Sequence, residues 1–111
     1  MQDFSRQVCF FIDDDAFWRS IWEFTAIESG VFLKTLDQNV KVEDLLVHPK
    51  DTHFYIDQEL GSQKGSDIAK GLFDHGFRNL TLCTCHDPQS LSKNFPWISA
   101  VQGKSPPWAT S

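Results

Sequence analysis

No apolar run in this 111-residue chain approaches the length needed to cross a bilayer as a helix. Its first residues, MQDFSRQ, lack the apolar centre of a secretory leader. Positive charge is in short supply: 10 Lys and Arg stand against 15 Asp and Glu, a formal net charge of −5. A nucleic-acid partner gets no electrostatic support from that balance, and neither nucleic acid nor membrane is expected. Cysteine is scarce and odd in number, at three. That argues against a disulfide framework and for a reducing, cytoplasmic compartment. Repeats, linkers and low-complexity segments are missing too, so residues 1–111 read as one domain.

What the chain has is a hydrophobic fraction of 41% and a charged fraction of 23%, enough for a real core. It is organised around VCFFIDDDAFW, residues 8–18, where an apolar run ends in three aspartates and a helical pattern follows at once. Val8, Cys9, Phe10, Phe11 and Ile12 are apolar on both faces, as in a buried parallel strand, although periodicity alone also admits a buried helix segment. Asp13, Asp14 and Asp15 repel one another unless water, backbone N–H groups or a cation intervenes. The plain alternative is a polar turn in which Asp15 caps the helix.

A helix is predicted over 16–28, with Phe17, Ile21, Phe24 and Ile27 or Glu28 on one apolar face and Gly30 as a left-handed cap. A second strand is predicted over 31–36 and a weaker helix over 37–47, closed by Pro49. A third strand, 52–57, again ends in an aspartate, Asp57, before the polar loop QELGSQKG. A helix over 66–75 capped by Gly76, a strand over 80–85, at best a short helix over 86–94 and a strand over 97–101 complete the series. The tail SPPWATS cannot be helical across its prolines. Strands alternating with helices over short connections imply a parallel sheet with helices on both faces.

In such a sheet all strand carboxyl ends share one rim, where open α/β sheets bind ligands. The residues delivered there are Asp13, Asp14 and Asp15, then Asp57, Thr84 and Lys104. Clustered carboxylates facing a lysine and a hydroxyl suit Mg²⁺ and a phosphoryl group. The Cys83-x-Cys85-His86 cluster, lacking a nearby fourth ligand, is a poor soft-metal site.

These residues resemble those of the receiver domain of bacterial two-component response regulators, over nearly the whole chain. Asp13 and Asp14 match that family's acidic pair, Asp57 its phosphoacceptor, Gly65 its glycine eight residues later, Thr84-Cys85 its hydroxyl residue followed by a small one, and Lys104 its lysine. The steps from Asp14 to Asp57, Thr84 and Lys104 are 43, 27 and 20 residues, close to the family's spacing. The resemblance implies a flavodoxin-like (βα)5 fold, doubly wound, with five parallel strands in the order 2-1-3-4-5. It implies a regulatory phosphoacceptor domain, not a conventional enzyme, that assists its own phosphorylation and dephosphorylation. A histidine kinase or histidine phosphotransfer protein would donate to Asp57. Asp14, Asp57 and the backbone carbonyl of Glu59 would hold Mg²⁺, with Asp13 acting through water. Lys104 and Thr84 would bind the phosphoryl group.

Departures from the family pattern matter. Lys104 is followed by Ser105 instead of proline, and Val101 stands where an aromatic switch is common. Leu60-Gly61 replaces Met-Pro, which predicts a more mobile loop. Only seven residues follow Lys104, too few for a fifth helix, so that helix is expected to be truncated or absent. Trp18 and Trp22, about 100° off the predicted inward face of the first helix, then face a gap. Either Trp108 folds back over it, or a second copy of the chain fills it as a homodimer through the Trp18/Trp22 face. Two rival functions remain open: a degenerate receiver acting as an unphosphorylated interaction module, and a haloacid-dehalogenase-type phosphatase with Asp13 as nucleophile.

Overall fold

The computed structural model describes residues 7–85 and 94–109. The apolar run forms strand β1, Val8–Ile12. It is central, pairing in parallel with β2 (Phe32–Leu36) on one side and β3 (Phe54–Asp57) on the other. A central strand is covered on both faces, which is why its pattern is continuous and not alternating. After β3 come a two-residue hairpin, β4 (Glu59–Leu60) and β5 (Gln63–Lys64), then β6 (Leu80–Cys83) and β7 (Ala100–Gln102). The main sheet has five strands, all paired in parallel, in the order β2-β1-β3-β6-β7. Counting strands of that sheet alone, this is the expected 2-1-3-4-5 order. The predicted short helix over 86–94 lies almost entirely outside the described residues.

Alternation along the strands divides the interior into two layers. Phe10, Ile12, Phe54, Ile56, Leu80 and Leu82 face helices α2 (Val42–Leu45) and α3 (Gly65–Asp74), where Leu45, Ile68, Ala69, Leu72 and Phe77 complete the larger core. Phe11, Tyr55 and Cys83 face the other way, toward helix α1 (Ala16–Ser29) and Trp108. Asp15 caps α1 by accepting from the Phe17 N–H, and Gly30 ends it at φ 70°, as the sequence indicates.

The face α1 turns inward differs from the predicted one. Phe17 and Phe24 are 65% and 62% exposed, Ile27 is also exposed, and Trp22 and Ala26 are buried. The indole of Trp22 stacks on Phe11 with ring centres 3.9 Å apart and planes 4° apart. Ala26, one turn on, is small enough to bring the helix close to the sheet. Counting apolar residues at helical spacing misses this stripe, because the small Ala26 and the polar Thr25 follow the Trp22 indole on it.

The Trp108 alternative is the one the structure shows. Its ring packs edge-on against Trp22 at 5.2 Å and against Tyr55 at 6.0 Å, and its Nε1–H donates to Thr25 Oγ1 at 3.1 Å. Trp22 is thereby enclosed within its own chain.

Other expectations need smaller corrections. The helix predicted over 37–47 shrinks to Val42–Leu45, because Asp37 closes a turn of its own by accepting from the Asn39 N–H. The last strand begins at Ala100 and not at 97, since the Trp97 indole turns aside to donate to Ser66 O. The loop after Asp57 is a hairpin turning at Gly61 (φ 66°), with Leu60 fully buried in the core, and not an open segment.

Candidate functional site

The carboxyl ends of β1, β3, β6 and β7 meet at one rim, as parallel pairing requires. Asp13 continues the β1 ladder through its N–H to Leu36 O and is fully buried. Both its carboxylate oxygens are engaged. Oδ1 accepts from the Asp15 N–H at 2.9 Å and Oδ2 from Lys104 Nζ at 2.7 Å. Asp14 is exposed at the mouth of the site, while Asp15 is spent on the helix cap.

Asp57, the last residue of β3, is buried at the same rim. Lys104 Nζ lies 3.1 Å from its Oδ1, and the backbone N–H of Glu59 also bonds its carboxylate. Burial first, and then the negative charge of Asp13, push the Asp57 carboxyl up to about 6, against the opposing pull of Lys104. Burial alone would lower Lys104, but its hydrogen bond to Asp13 and the charges of both aspartates outweigh that and hold the ammonium above its ordinary range. The lysine is therefore a fixed positive charge between two carboxylates throughout the physiological range.

Thr84 closes the rim after β6. It is buried, with its N–H bonded to Gln102 O at 3.0 Å. Gly65 sits where no side chain fits: a Cβ there would lie 2.1 Å from the Asp57 carbonyl oxygen. The first turn of α3 thus closes directly on the backbone of the site, held by Gly65 N–H to Gln58 O and by Ser66 N–H to Gln58 Oε1. Glu59 directs its own side chain outward to Lys64.

One ligand oxygen from each of Asp13, Asp14 and Asp57 falls within 4.8 Å of the other two. Hard carboxylate oxygens from two strand ends, one of them open to solvent, match the preference of Mg²⁺ for oxygen donors with several retained waters. The donor set fits such an ion. Cys83 does not extend it to soft metals. Burial, and then the charge of Asp57, push its thiol above the usual range, so it stays neutral. His86 lies outside the described residues.

The structure thus gathers Asp13, Asp14, Asp57, Glu59, Thr84 and Lys104 at one rim. It adds Arg19, which sequence reasoning passed over, and Trp22, which the sequence marked only as facing a gap and not as a neighbour of the site. Arg19 Nη1 donates to Asp13 O at 2.8 Å, and the Trp22 indole donates to Lys104 O at 2.8 Å. Arg19 was detectable as the residue one turn beyond the cap Asp15; the reach of Trp22 across the sheet had no local signal.

The chain matches no protein-family profile and no curated protein sequence. Solved structures do match it. It is similar to FixJ-N, known from a crystal structure, with a TM-score of 0.67 and 17% identity over 94% of this chain and 83% of that one. It is similar to the BeF3-activated DrrB receiver domain, with a TM-score of 0.60 and 19% identity over 92% of this chain and 87% of that one. The fold is that of response regulator receiver domains, a flavodoxin-like parallel α/β sheet.

Proposed function

We propose that this chain is a phosphoacceptor receiver module that takes a phosphoryl group from a phosphohistidine onto Asp57 and signals by the conformational change that follows. The observation that carries the reading is the placement of Asp57: at a strand end, beside Asp13 and Asp14, with Lys104 3.1 Å away. No helix of the described residues is long and apolar enough to cross a membrane.

An Asp57 carboxylate oxygen attacks phosphorus. The phosphorus–nitrogen bond to the donor imidazole breaks, its electron pair leaves with the ring nitrogen, and an acyl phosphate remains on Asp57. A carboxylate is a weak nucleophile, so placement and electrostatics must do most of the work. Asp57 is ionised above about pH 6 and so is competent at neutral pH. Lys104 then exchanges carboxylate partners for a phosphoryl oxygen, and the Thr84 hydroxyl donates to another. Asp14, Asp57 and the Glu59 backbone carbonyl would hold Mg²⁺, with Asp13 acting through water. When bound, the ion offsets carboxylate repulsion and neutralises phosphoryl oxygens. Hydrolysis of the acyl phosphate by water at the same site resets the module.

The donor is a histidine kinase or a histidine phosphotransfer protein. The exposed Phe17, at the start of α1 just beyond Asp13–Asp15, offers such a partner an apolar foothold beside the rim. A homodimer would need a surface other than Trp22, which Trp108 and Phe11 already cover. The phosphatase reading is disfavoured because Asp13 is enclosed, with both oxygens engaged. Val101, packed against the core where an aromatic switch would stand, is what favours the unphosphorylated module as the second reading. Incubation with phosphoramidate and Mg²⁺ followed by intact mass separates the two. A single phosphoryl adduct, absent from Asp57→Asn, supports the receiver, and no adduct leaves the interaction module.

A further inference from the structure

We propose that Trp22 is a positioning residue for Lys104: its indole N–H grips the Lys104 backbone carbonyl and so fixes the ammonium between Asp13 and Asp57. The inference rests on the receiver reading and deepens it.

Three observations converge. Trp22 is fully buried, and its stacking on Phe11 at 3.9 Å and 4° fixes the plane of the ring. A ring held that way aims its N–H in one direction, and Lys104 O lies 2.8 Å along it. A buried indole N–H left unpartnered bears its full desolvation cost, so ring and loop hold each other in place.

On its outer side the loop around Lys104 is held by the Gln102 side chain, whose Nε2 donates to Gly103 O at 3.3 Å and Ser105 O at 3.0 Å and leaves the Lys104 carbonyl to Trp22. Gly103 precedes the lysine, and Ser105 imposes no φ constraint as a proline would. Two further anchors lead to the same face of α1. Pro106 is buried, and the Trp108 indole donates to Thr25 Oγ1, three residues after Trp22. Trp18, one turn before Trp22, places its ring 5.8 Å from Lys104 Nζ. One stripe of α1 therefore meets the ammonium, the carbonyl and the tail of the same loop. With its carbonyl pinned, Lys104 meets a phosphoryl group by side-chain movement alone, and its reach is preset by the helix.

Trp22→Phe keeps a stacked ring and removes the donor; replacing Trp22 with 3-benzothienylalanine removes the donor at nearly constant shape and guards against a packing defect. Two measurements apply. In proton–nitrogen correlation spectra of the unphosphorylated protein, the Lys104 ammonium of the wild type should give a protected signal, which both variants lose to solvent exchange. The rate of phosphorylation by phosphoramidate should fall roughly tenfold to a hundredfold in both, in line with the effect of about 1 Å of misplacement. In a Lys104→Met background the same replacements should cause no further loss, because Trp22 acts through Lys104. Equal fractional losses with and without Lys104 would show that Trp22 only supports the fold. A Lys104 ammonium equally protected in wild type and both variants overturns the positioning role alone. A wild type that takes up no phosphoryl group overturns the receiver reading beneath it.

Discussion

Lys104 Nζ stands 3.1 Å from Asp57 and 2.7 Å from Asp13, bridging the ends of two strands from a loop some fifty residues further along the chain than Asp57. The bridge is nearly dry: the lysine side chain is 11% exposed. Removing the lysine would leave two buried carboxylates without a counter-charge, at a cost of about 3–5 kcal/mol, whereas the exposed Lys64–Glu59 and Lys70–Asp74 pairs contribute about 0–1 kcal/mol. The three charges form one unit with a surplus of negative charge, and the pH and cation dependence of the molecule follow from that surplus.

Asp57 carries a stability cost that depends on pH. Its carboxyl sits at about 6 in the folded chain against 3.8 for the free group, so the folded state binds the proton more tightly than the unfolded one. The contribution of this group to stability therefore falls as pH rises from about 4 to about 6 and is level above that. Asp57→Asn removes the effect. The variant should be more stable than wild type by on the order of 1–3 kcal/mol at pH 7.5 in the absence of divalent cations, with the gap closing as pH falls from about 6 to about 4. Urea unfolding at several pH values checks this; a constant gap contradicts the cause given.

Mg²⁺ should raise the unfolding temperature by mass action on the folded state. The rise should be larger at pH 8 than at pH 5, because protons compete for Asp57, and it should vanish in Asp14→Asn with Asp57→Asn. Scanning calorimetry with and without the ion decides it. Calcium and magnesium acting alike in the double variant would show non-specific binding.

Gly65 is replaceable only at the expense of the site. A methyl group would meet the Asp57 carbonyl at 2.1 Å and Ile56 Cγ2 at 2.9 Å. Backbone cannot yield as a flexible side chain can. Gly65→Ala should cost about 1–3 kcal/mol or more and slow phosphorylation of Asp57 along with it. Gly30→Asn, with nothing within 4 Å of its Cβ position, should be far milder.

The corrected face of α1 is open to a direct contrast. Trp22→Ala should cost about 3–5 kcal/mol, the range for deleting a buried aromatic ring. Phe24→Ser should change stability by about 0.5 kcal/mol or less, as for an exposed site. Denaturant midpoints separate the two faces, and comparable losses would restore the face that apolar spacing alone suggests.

Much of this was legible in the chain before folding. The continuous apolar run of β1 marks a central strand, and the acidic ends of β1 and β3 mark the rim. Asp15 and Gly30 mark where α1 begins and ends. These are local signals, each written in a few adjacent residues. The inward face of α1 was not legible because it is set by Phe11 and Lys104, one on the sheet and one 82 residues beyond Trp22. The hairpin at Gly61 was hidden for a related reason. Its glycine and polar flanks look like open loop, and only the burial of Leu60 shows that the segment is anchored. Asp13, Asp14, Asp57, Thr84 and Lys104 were legible as candidate site residues by type and strand-end position, and Glu59 only through the family resemblance, while Arg19 and Trp22 bond the carbonyl groups of Asp13 and Lys104, which a sequence does not display.

The most direct test of the account is to locate the phosphoryl group. Borohydride reduction of an acyl phosphate converts the aspartate to homoserine, which peptide mass spectrometry places on a single residue. After phosphoramidate and Mg²⁺, the account predicts homoserine at position 57 and none in Lys104→Met at short times. Homoserine at position 13, or no reduced residue at all in a protein shown to be folded, would contradict it.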